Sequence, residues 1–402
     1  MSSDRRRRTQ QTRSTRQAAS GGQRLTIGGI TAAVIIVIVF IAQYVLGIDV
    51  LPEEEVPPPP VASEAPSGNV VPIDGGIDGG WFQVYFTAPI NTQDESRFVG
   101  SPVENALIRA IDNARETIDA AMFELNSQLV TDALIAAHER GVTVRIVTDG
   151  EHGLESPETT VDQLEAAGIP VVSDGRRSGF MHNKFFVIDD LYVWTGSTNI
   201  THNGFYNNNN NSIMIRSTRL ASNFSHEFDE LFRGEFGTTS PGDVPYPSIN
   251  VGGTQIVTIF ESEGDLPAEI VRLINSARVV RFMAFSLTLD DLLQPMQTRV
   301  QAGRLEVQGI IEASQRRFLA PLFCADLDIR QDGNPDILHH KVFIINEDIV
   351  IMGSFNFSGS AATSNDENAL IIYNQDIARA YLDEFERRWA EAVILPKTIF
   401  DC

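Results

Sequence analysis

The chain has 402 residues, 43% hydrophobic and 21% charged, which excludes a fibrous or mostly disordered protein and leaves room for about two folded domains. Two cysteines, Cys324 and Cys402, exclude a disulfide framework or a cysteine-based zinc site, and with Cys402 at the last position no internal bridge is expected. Charge is uneven: residues 1–25 carry +6 of the net −22, leaving −28 on a body that repels polyanions at long range.

Residues 1–25 form a basic arm with seven arginines against one acid, Asp4. Residues 26–48 carry no charge and include TAAVIIVIVFIAQYVLGI. The uncharged run from Leu25 to Ile48 is 24 residues long. At 1.5 Å rise it spans about 36 Å, enough for a hydrocarbon core of about 30 Å. A signal-peptide apolar region is shorter, about 7–15 residues, and no small-x-small cleavage site follows here. The segment therefore reads as a single-pass membrane anchor, with the arginines cytoplasmic and the body extracytoplasmic. Residues 49–79 are rich in Pro, Glu and Gly, and Pro57–Pro60 favours extended polyproline II, as a spacer would.

The folded body divides into residues 80–245 and 246–402. It opens with strand-like WFQVYF. Ser101-Pro102-Val103-Glu104 then offers an N-cap, a proline at the first helical position and an acid at the third. Val103, Leu107, Ala110, Ala114 and Ile118 continue the helical spacing. TIDAAMFEL reads as a strand, DALIAAHERG as a helix ended at Gly141, and VTVRIVTD as another strand. The alternation predicts an α/β layered domain with a largely buried sheet.

The second half repeats the first. ENALIRAIDNARETIDAAMFEL is answered by PAEIVRLINSARVVRFMAFSL, and His182-Asn183-Lys184 through Asp189 corresponds to His339-His340-Lys341 through Asn346 at an offset of 157. The same offset pairs Gly196-Ser197-Thr198-Asn199 with Gly353-Ser354-Phe355-Asn356, and Asn210-Asn211 with Glu367-Asn368. Only three lysines occur in the chain, and two of them hold equivalent positions. On a strand, residues two apart share a face, so His182 projects with Lys184 and His339 with Lys341 from otherwise apolar segments. A lysine buried there needs an anion. Two such pairs on one point suit a phosphodiester: the lysines neutralise its oxygens, one imidazole attacks phosphorus, and the other protonates the leaving group. The Gly-Ser turns place hydroxyl and N–H groups near the same anion.

HxKxxxxD followed by GSxN, present twice, resembles the phospholipase D superfamily over roughly residues 80–400. The resemblance implies two tandem α/β/α lobes related by a pseudo-two-fold axis, with one shared site. It also implies metal-independent chemistry, no cofactor, and a phosphohistidine intermediate resolved by water or an alcohol. By resemblance to members in which the N-terminal histidine attacks, His182 is expected as the nucleophile and His339 as the acid and later base, with the reverse assignment left open. Lys184 and Lys341 are the phosphate ligands. Ser197, Asn199, Ser354 and Asn356 are expected to bind substrate. Asn346 replaces the motif aspartate of the second copy; it faces away from Lys341, so Asp189 and Asn346 read as structural. The family often places an orienting carboxylate 28 residues beyond the histidine. That spacing gives Glu367 to His339 and Asn210 to His182, and so two imidazoles of unequal proton affinity.

The anchor and the acidic body favour a phospholipid membrane as partner and a monomeric catalytic body that cleaves phospholipid headgroups. A metal-independent nuclease is the second reading, because the compact repeats resemble the small bacterial nucleases of the superfamily. A binding-only protein has no need of both histidines and both lysines. Phe180, Phe185, Phe205 and Tyr206 could wall the site, with Asn207–Asn211 as an ordered rim loop. His340 points away from the site, and His138, His152, His202 and His226, which have no counterpart in the other repeat, receive no role. No cluster in the sequence suggests a metal and no nucleotide loop is apparent.

Overall fold

A computed structural model describes residues 69–400, apart from 177, 241, 242, 262, 263, 319 and 326. The basic arm, the 26–48 anchor and the spacer up to residue 68 lie outside the described residues. Among the described residues no helix is long and apolar enough to cross a membrane.

The first lobe begins with β1 (Val71–Ile73), β2 (Gly76–Asp78) and β3 (Phe82–Phe86), followed by α1 (Pro102–Asn113). Ser101 caps α1, its Oγ accepting the Glu104 N–H at 3.2 Å, with Pro102 at the first helical position. The Glu104 carboxylate does not reach back to the cap; it accepts from Ser127 Oγ at 2.6 Å and from the Tyr206 hydroxyl. Next come β4 (Thr117–Met122), α2 (Gln128–Glu139) and β5 (Thr143–Thr148), with β4 and β5 paired in parallel. Gly141 ends α2 at φ +93°, a left-handed conformation that glycine adopts without strain. The lobe finishes with α3 (Val161–Ala166), β6 (Val171–Ser173), β7 (Lys184–Ile188), β8 (Tyr192–Gly196), β9 (Asn211–Arg216) and α4 (Thr218–Phe232).

The second lobe retraces this path. It contains β10 (Ser248–Val251), β11 (Thr254–Phe260), α5 (Leu266–Ser276), β12 (Val279–Ala284), α6 (Asp290–Gln301) and β13 (Glu306–Ile311). α7 (Ala320–Cys324), β14 (Asp328–Gln331), β15 (Lys341–Ile345), β16 (Ile349–Gly353), β17 (Asn368–Tyr373) and α8 (Gln375–Glu391) follow. Among the described residues the first sheet has nine strands in the order β1-β2-β3-β9-β8-β7-β4-β5-β6, and the second has eight in the order β10-β11-β17-β16-β15-β12-β13-β14. From β3 and from β11 onward the two orders are the same.

Apolar packing arranges the layers. One core joins Phe185, Val187 and Val193 of the first sheet to Val342, Ile344 and Val350 of the second. Phe224 and Phe228 of α4, with Tyr381 and Phe385 of α8, fill the space between the two sheets. The outer faces are covered separately, by α1 and α2 on the first sheet and by α5 and α6 on the second. Buried on both faces, the central strands read as near-continuous hydrophobic runs. Arg145 on β5 ties sheet to helix, its Nε 2.7 Å from Asp119 and its Nη1 2.9 Å from Asp229 of α4. Cys324 is disulfide-bonded, correcting the expectation of no internal bridge; the other cysteine, Cys402, lies outside the described residues.

Candidate active site

β7 and β15 start at the two lysines, and the four residues after each lysine are apolar and buried. Each histidine sits two residues earlier, in the extended segment leading into the strand. Lys184 Nζ donates to the His182 carbonyl at 2.9 Å, and Lys341 Nζ to the His339 carbonyl at 3.0 Å. These bonds hold each ammonium beside its own histidine. Phe123 and Phe285, just beyond the ends of β4 and β12, lie under the two lysines at 4.7 and 5.2 Å from ring centroid to Nζ. The same rings pack edge-on against His182 and His339.

The backbone before each histidine is pinned to the other lobe. His182 N–H donates to the Asp366 carbonyl at 3.0 Å, and His339 N–H donates to the Asn209 carbonyl at 2.9 Å. The two contacts are related by the repeat offset, so each lobe does to its partner what the partner does to it. This crossing decides the orienting groups. Glu367 follows Asp366, and its Oε2 lies 2.7 Å from His182 Nδ1. Asn210 follows Asn209, and its Oδ1 lies 2.9 Å from His339 Nδ1. The pairing expected from spacing alone, Glu367 with His339 and Asn210 with His182, is therefore corrected: each orienter serves the histidine of the opposite repeat. Both partners accept from Nδ1–H. The Asn210 amide is fixed the same way round, since its Nδ2 donates to the Gly204 carbonyl at 3.0 Å. Each imidazole thus keeps its Nε2 free for the site.

The Gly-Ser turns support the orienters. Ser197 Oγ donates to Asn210 Oδ1 at 2.8 Å, and Ser354 Oγ donates to Glu367 Oε2 at 2.6 Å. Both hydroxyls, expected to meet substrate, are buried in these bonds. The glycines allow the approach: a Cβ on Gly196 would sit 2.2 Å from the Asn211 carbonyl oxygen, and one on Gly353 2.1 Å from that of Asn368. Asn199 Nδ2 donates to Glu124 at 2.8 Å, while the Oδ1 atoms of Asn199 and Asn356 are buried without a hydrogen-bond partner.

Burial and charge set the protonation of the cluster. Desolvation, and then the charges of Lys184 and Lys341, hold His182 well below the usual imidazole range. His339 is lowered in the same way, by burial and then by Lys341 and Lys184. Burial lowers Lys184 to about 8, and burial and the Lys184 charge push Lys341 well down. Glu367 is raised to about 7 by burial, against the attraction of Lys184. The charges of both lysines reach both histidines, which places the four side chains around one space, and an anion entering it would restore the charge that the lysines lose.

Asp189 and Asn346 stand at the far ends of β7 and β15. Both adopt left-handed φ, +54° and +51°. Asp189 Oδ1 accepts from the N–H groups of Glu116 and Thr117 at 2.7 and 3.1 Å, and Asn346 Oδ1 from those of Arg278 and Val279 at 2.8 and 3.2 Å. An amide oxygen serves this turn as a carboxylate does. Asp189→Ala is expected to cost about 1–2 kcal/mol in urea unfolding while leaving the site's chemistry unchanged, because acceptors are lost and an alanine must hold positive φ.

Phe123, Phe285, Glu124 and His152 escaped the sequence reading. Glu124 faces Lys184 and His152, and burial raises its carboxyl. His152 stacks on Phe123 and meets Phe180 edge-on, each at 4.9 Å between centroids, and forms the rim of the first lobe. The repeat carried a signal for the two phenylalanines, which align at the ends of equivalent strands. Glu124 aligns with Ser286, and His152 has no equivalent histidine, so repetition could not flag them. Of the expected aromatic wall only Phe180 belongs here. Phe185 projects from the opposite face of β7 onto Phe224, Phe205 is in the outer core, and Tyr206 bonds Glu104. The asparagine run is ordered and buried: Asn207 bonds Thr92, Asn209 accepts from Asn334 at 2.9 Å, and Asn211 meets His340. His340 is buried between Asn211 and Glu384 of α8, away from the site.

A family model described as "Cardiolipin synthase, PLD-like domain" matches residues 107–232 and 270–389, one match in each lobe. A phospholipase D of Rickettsia conorii is 37% identical over 141 residues, covering 34% of this chain and 70% of that protein. A mitochondrial cardiolipin hydrolase of Xenopus laevis is 33% identical over 119 residues, 30% of this chain and 56% of the relative. The chain spans about half the length of the cardiolipin hydrolases it matches. Phosphatidylserine synthase of Haemophilus influenzae shares the fold, with a TM-score of 0.58 at 14% identity over 74% of this chain and 86% of that one. Matched once in each lobe, and with both HxK segments at the junction of its two sheets, the chain belongs to the phospholipase D-like family.

Proposed function

We propose that the chain is a phosphodiesterase that cleaves the headgroup from a membrane phospholipid, held at its substrate by residues 26–48 with the body on the extracytoplasmic side. The observation that carries the reaction is the pair of imidazoles with unequal orienters, Glu367 on His182 and Asn210 on His339, beside two buried lysines. His182 Nε2 attacks phosphorus, and the Nδ1–H bond to Glu367 stabilises the charge that the ring gains. The bond from phosphorus to the headgroup oxygen breaks as His339, protonated at Nε2 once the phosphate anion offsets the charge of the two lysines, gives that oxygen its proton. Lys184 and Lys341 hold the other phosphoryl oxygens, where charge accumulates in the transition state. Neutral His339 then takes a proton from water or an alcohol, whose oxygen displaces His182 and regenerates both rings. Glu124 and Asn199 lie beside Lys184 and would contact the headgroup side.

The phospholipid assignment is supported by the kinship with lipid-acting relatives and by a body too acidic for avid binding of a polyanion. The test offers the full chain in mixed phospholipid vesicles and, in parallel, fluorescent single- and double-stranded DNA, with and without EDTA. Phosphatidate release without DNA cleavage is the expected outcome. DNA cleavage alone would replace the lipid reading by the nuclease one.

A further inference from the structure

The geometry points to a divalent-metal site, of the zinc type, that fastens the connection between the lobes to α4. His226 and Glu230 are four residues apart on α4 and therefore share a face. Asp243, from the connection, meets them. His226 Nε2 lies 2.9 Å from Asp243 Oδ1 and 3.3 Å from Glu230 Oε1, and the three ligand atoms all fall within 4.8 Å of one another. Bonds of about 2.0–2.2 Å at tetrahedral angles separate neighbouring ligands by roughly 3.3–3.6 Å, so the triad needs little movement to close on zinc.

A second observation points to an absent ligand. Glu230 is fully buried, yet among the described residues its Oε1 has no hydrogen-bond partner and is met only by the 3.3 Å approach of His226 Nε2. Its other oxygen is satisfied by Ser240 Oγ at 2.6 Å, which aims Oε1 at His226. One imidazole nitrogen has one hydrogen to give, and two carboxylates compete for it. With the proton moved to Nδ1, Nε2 becomes a ligand, and a dication neutralises both carboxylates at once. A nitrogen with two carboxylate oxygens, and a fourth position left to water, is a donor set for zinc rather than for calcium or magnesium.

The position gives the site a consequence. Ser240 and Asp243 belong to the connection that leads from α4 to β10, and Gly237 of the same segment donates to Asp366 Oδ1 at 2.6 Å. Asp366 is the residue whose carbonyl receives the His182 N–H. Zinc would thus secure a segment that abuts the backbone at the reacting histidine without touching the reaction itself.

The full chain, stripped of metal by dialysis, is titrated calorimetrically with zinc chloride. One zinc per chain is expected, with Tm raised by about 5 °C at a hundredfold excess over Kd. Asp243→Asn and His226→Ala are each expected to weaken binding at least about tenfold and to remove the Tm shift. His182→Ala is expected to bind zinc as the wild type does. Asp243 is 61% exposed, so its replacement tests the site without disturbing the fold. No saturable zinc binding by the wild type overturns the assignment. So does binding that survives Asp243→Asn and His226→Ala but is lost in His182→Ala, which would place the metal at the catalytic histidines.

Discussion

Turnover of phospholipid by His182→Ala is expected to fall about a hundred-thousandfold or more, with far-UV circular dichroism and the urea m-value unchanged. In the proposed reaction this ring supplies the atom that attacks phosphorus, and His339, the other imidazole with a free Nε2, is engaged as the acid. Lys184 sits beside it, but its Nζ is committed to the His182 carbonyl and to the incoming phosphate. Loss of the imidazole leaves the fold intact because Glu367 keeps two other donors, Ser354 Oγ at 2.6 Å and Asn365 Nδ2 at 3.0 Å. Asp189→Ala gives the opposite split, lower stability with turnover preserved. A His182→Ala protein that folds normally and retains wild-type kcat would remove His182 from the reaction.

Glu367→Gln is expected to lower kcat by about 10³–10⁴-fold and to change the shape of the pH profile, which simple loss of packing would not do. The proposed reaction requires Nδ1–H of His182 to donate to an ionised Glu367, which leaves the lone pair on Nε2. Glu367 is raised to about 7 by burial. Below that pH the carboxyl keeps its proton and donates to Nδ1, so the ring proton moves to Nε2 and blocks attack. The rate therefore rises with pH through about 7. Lys184, lowered to about 8, loses its charge above that value and with it the hold on the phosphate, so the rate falls again. A narrow bell in kcat/KM follows. The amide that replaces the carboxyl in Glu367→Gln has no proton to lose, so the acid limb disappears while the alkaline limb stays. An acid limb near 7 that survived in the variant would belong to another group.

Much of this was legible in the chain, and the boundary has a physical cause. The duplicated HxK and GSxN segments, Ser101 as a cap and Gly141 as a helix end are local features, and local stereochemistry fixed them. The partnership between Glu367 and His182 is not local. Spacing within one repeat ties Glu367 to His339, yet the bridges from Met181 to Asp366 and from Leu338 to Asn209 carry each orienter into the opposite lobe. Only the assembled fold reveals that exchange. Ser197 and Ser354 show the same limit: the motif places a hydroxyl near the anion, but packing against β9 and β17 turns both toward the orienters. Phe185 and Phe205 look like binding rings in composition, but alternation along β7 puts Phe185 on the face opposite Lys184, a constraint that composition does not carry. Glu124 and His152, without equivalents in the second repeat, gave repetition nothing to amplify, and the triad of His226, Glu230 and Asp243 joins a helix to a distant loop residue.

The most direct measurement uses His339→Ala with a substrate whose leaving group departs without a proton, p-nitrophenyl phosphocholine. Attack by His182 still proceeds, but no base remains to activate water, so a burst of one p-nitrophenol per chain is expected. Alkaline quenching and peptide mass analysis should then place the phosphocholine adduct on His182. An adduct on another residue, or steady turnover with no burst, would contradict a covalent mechanism through His182.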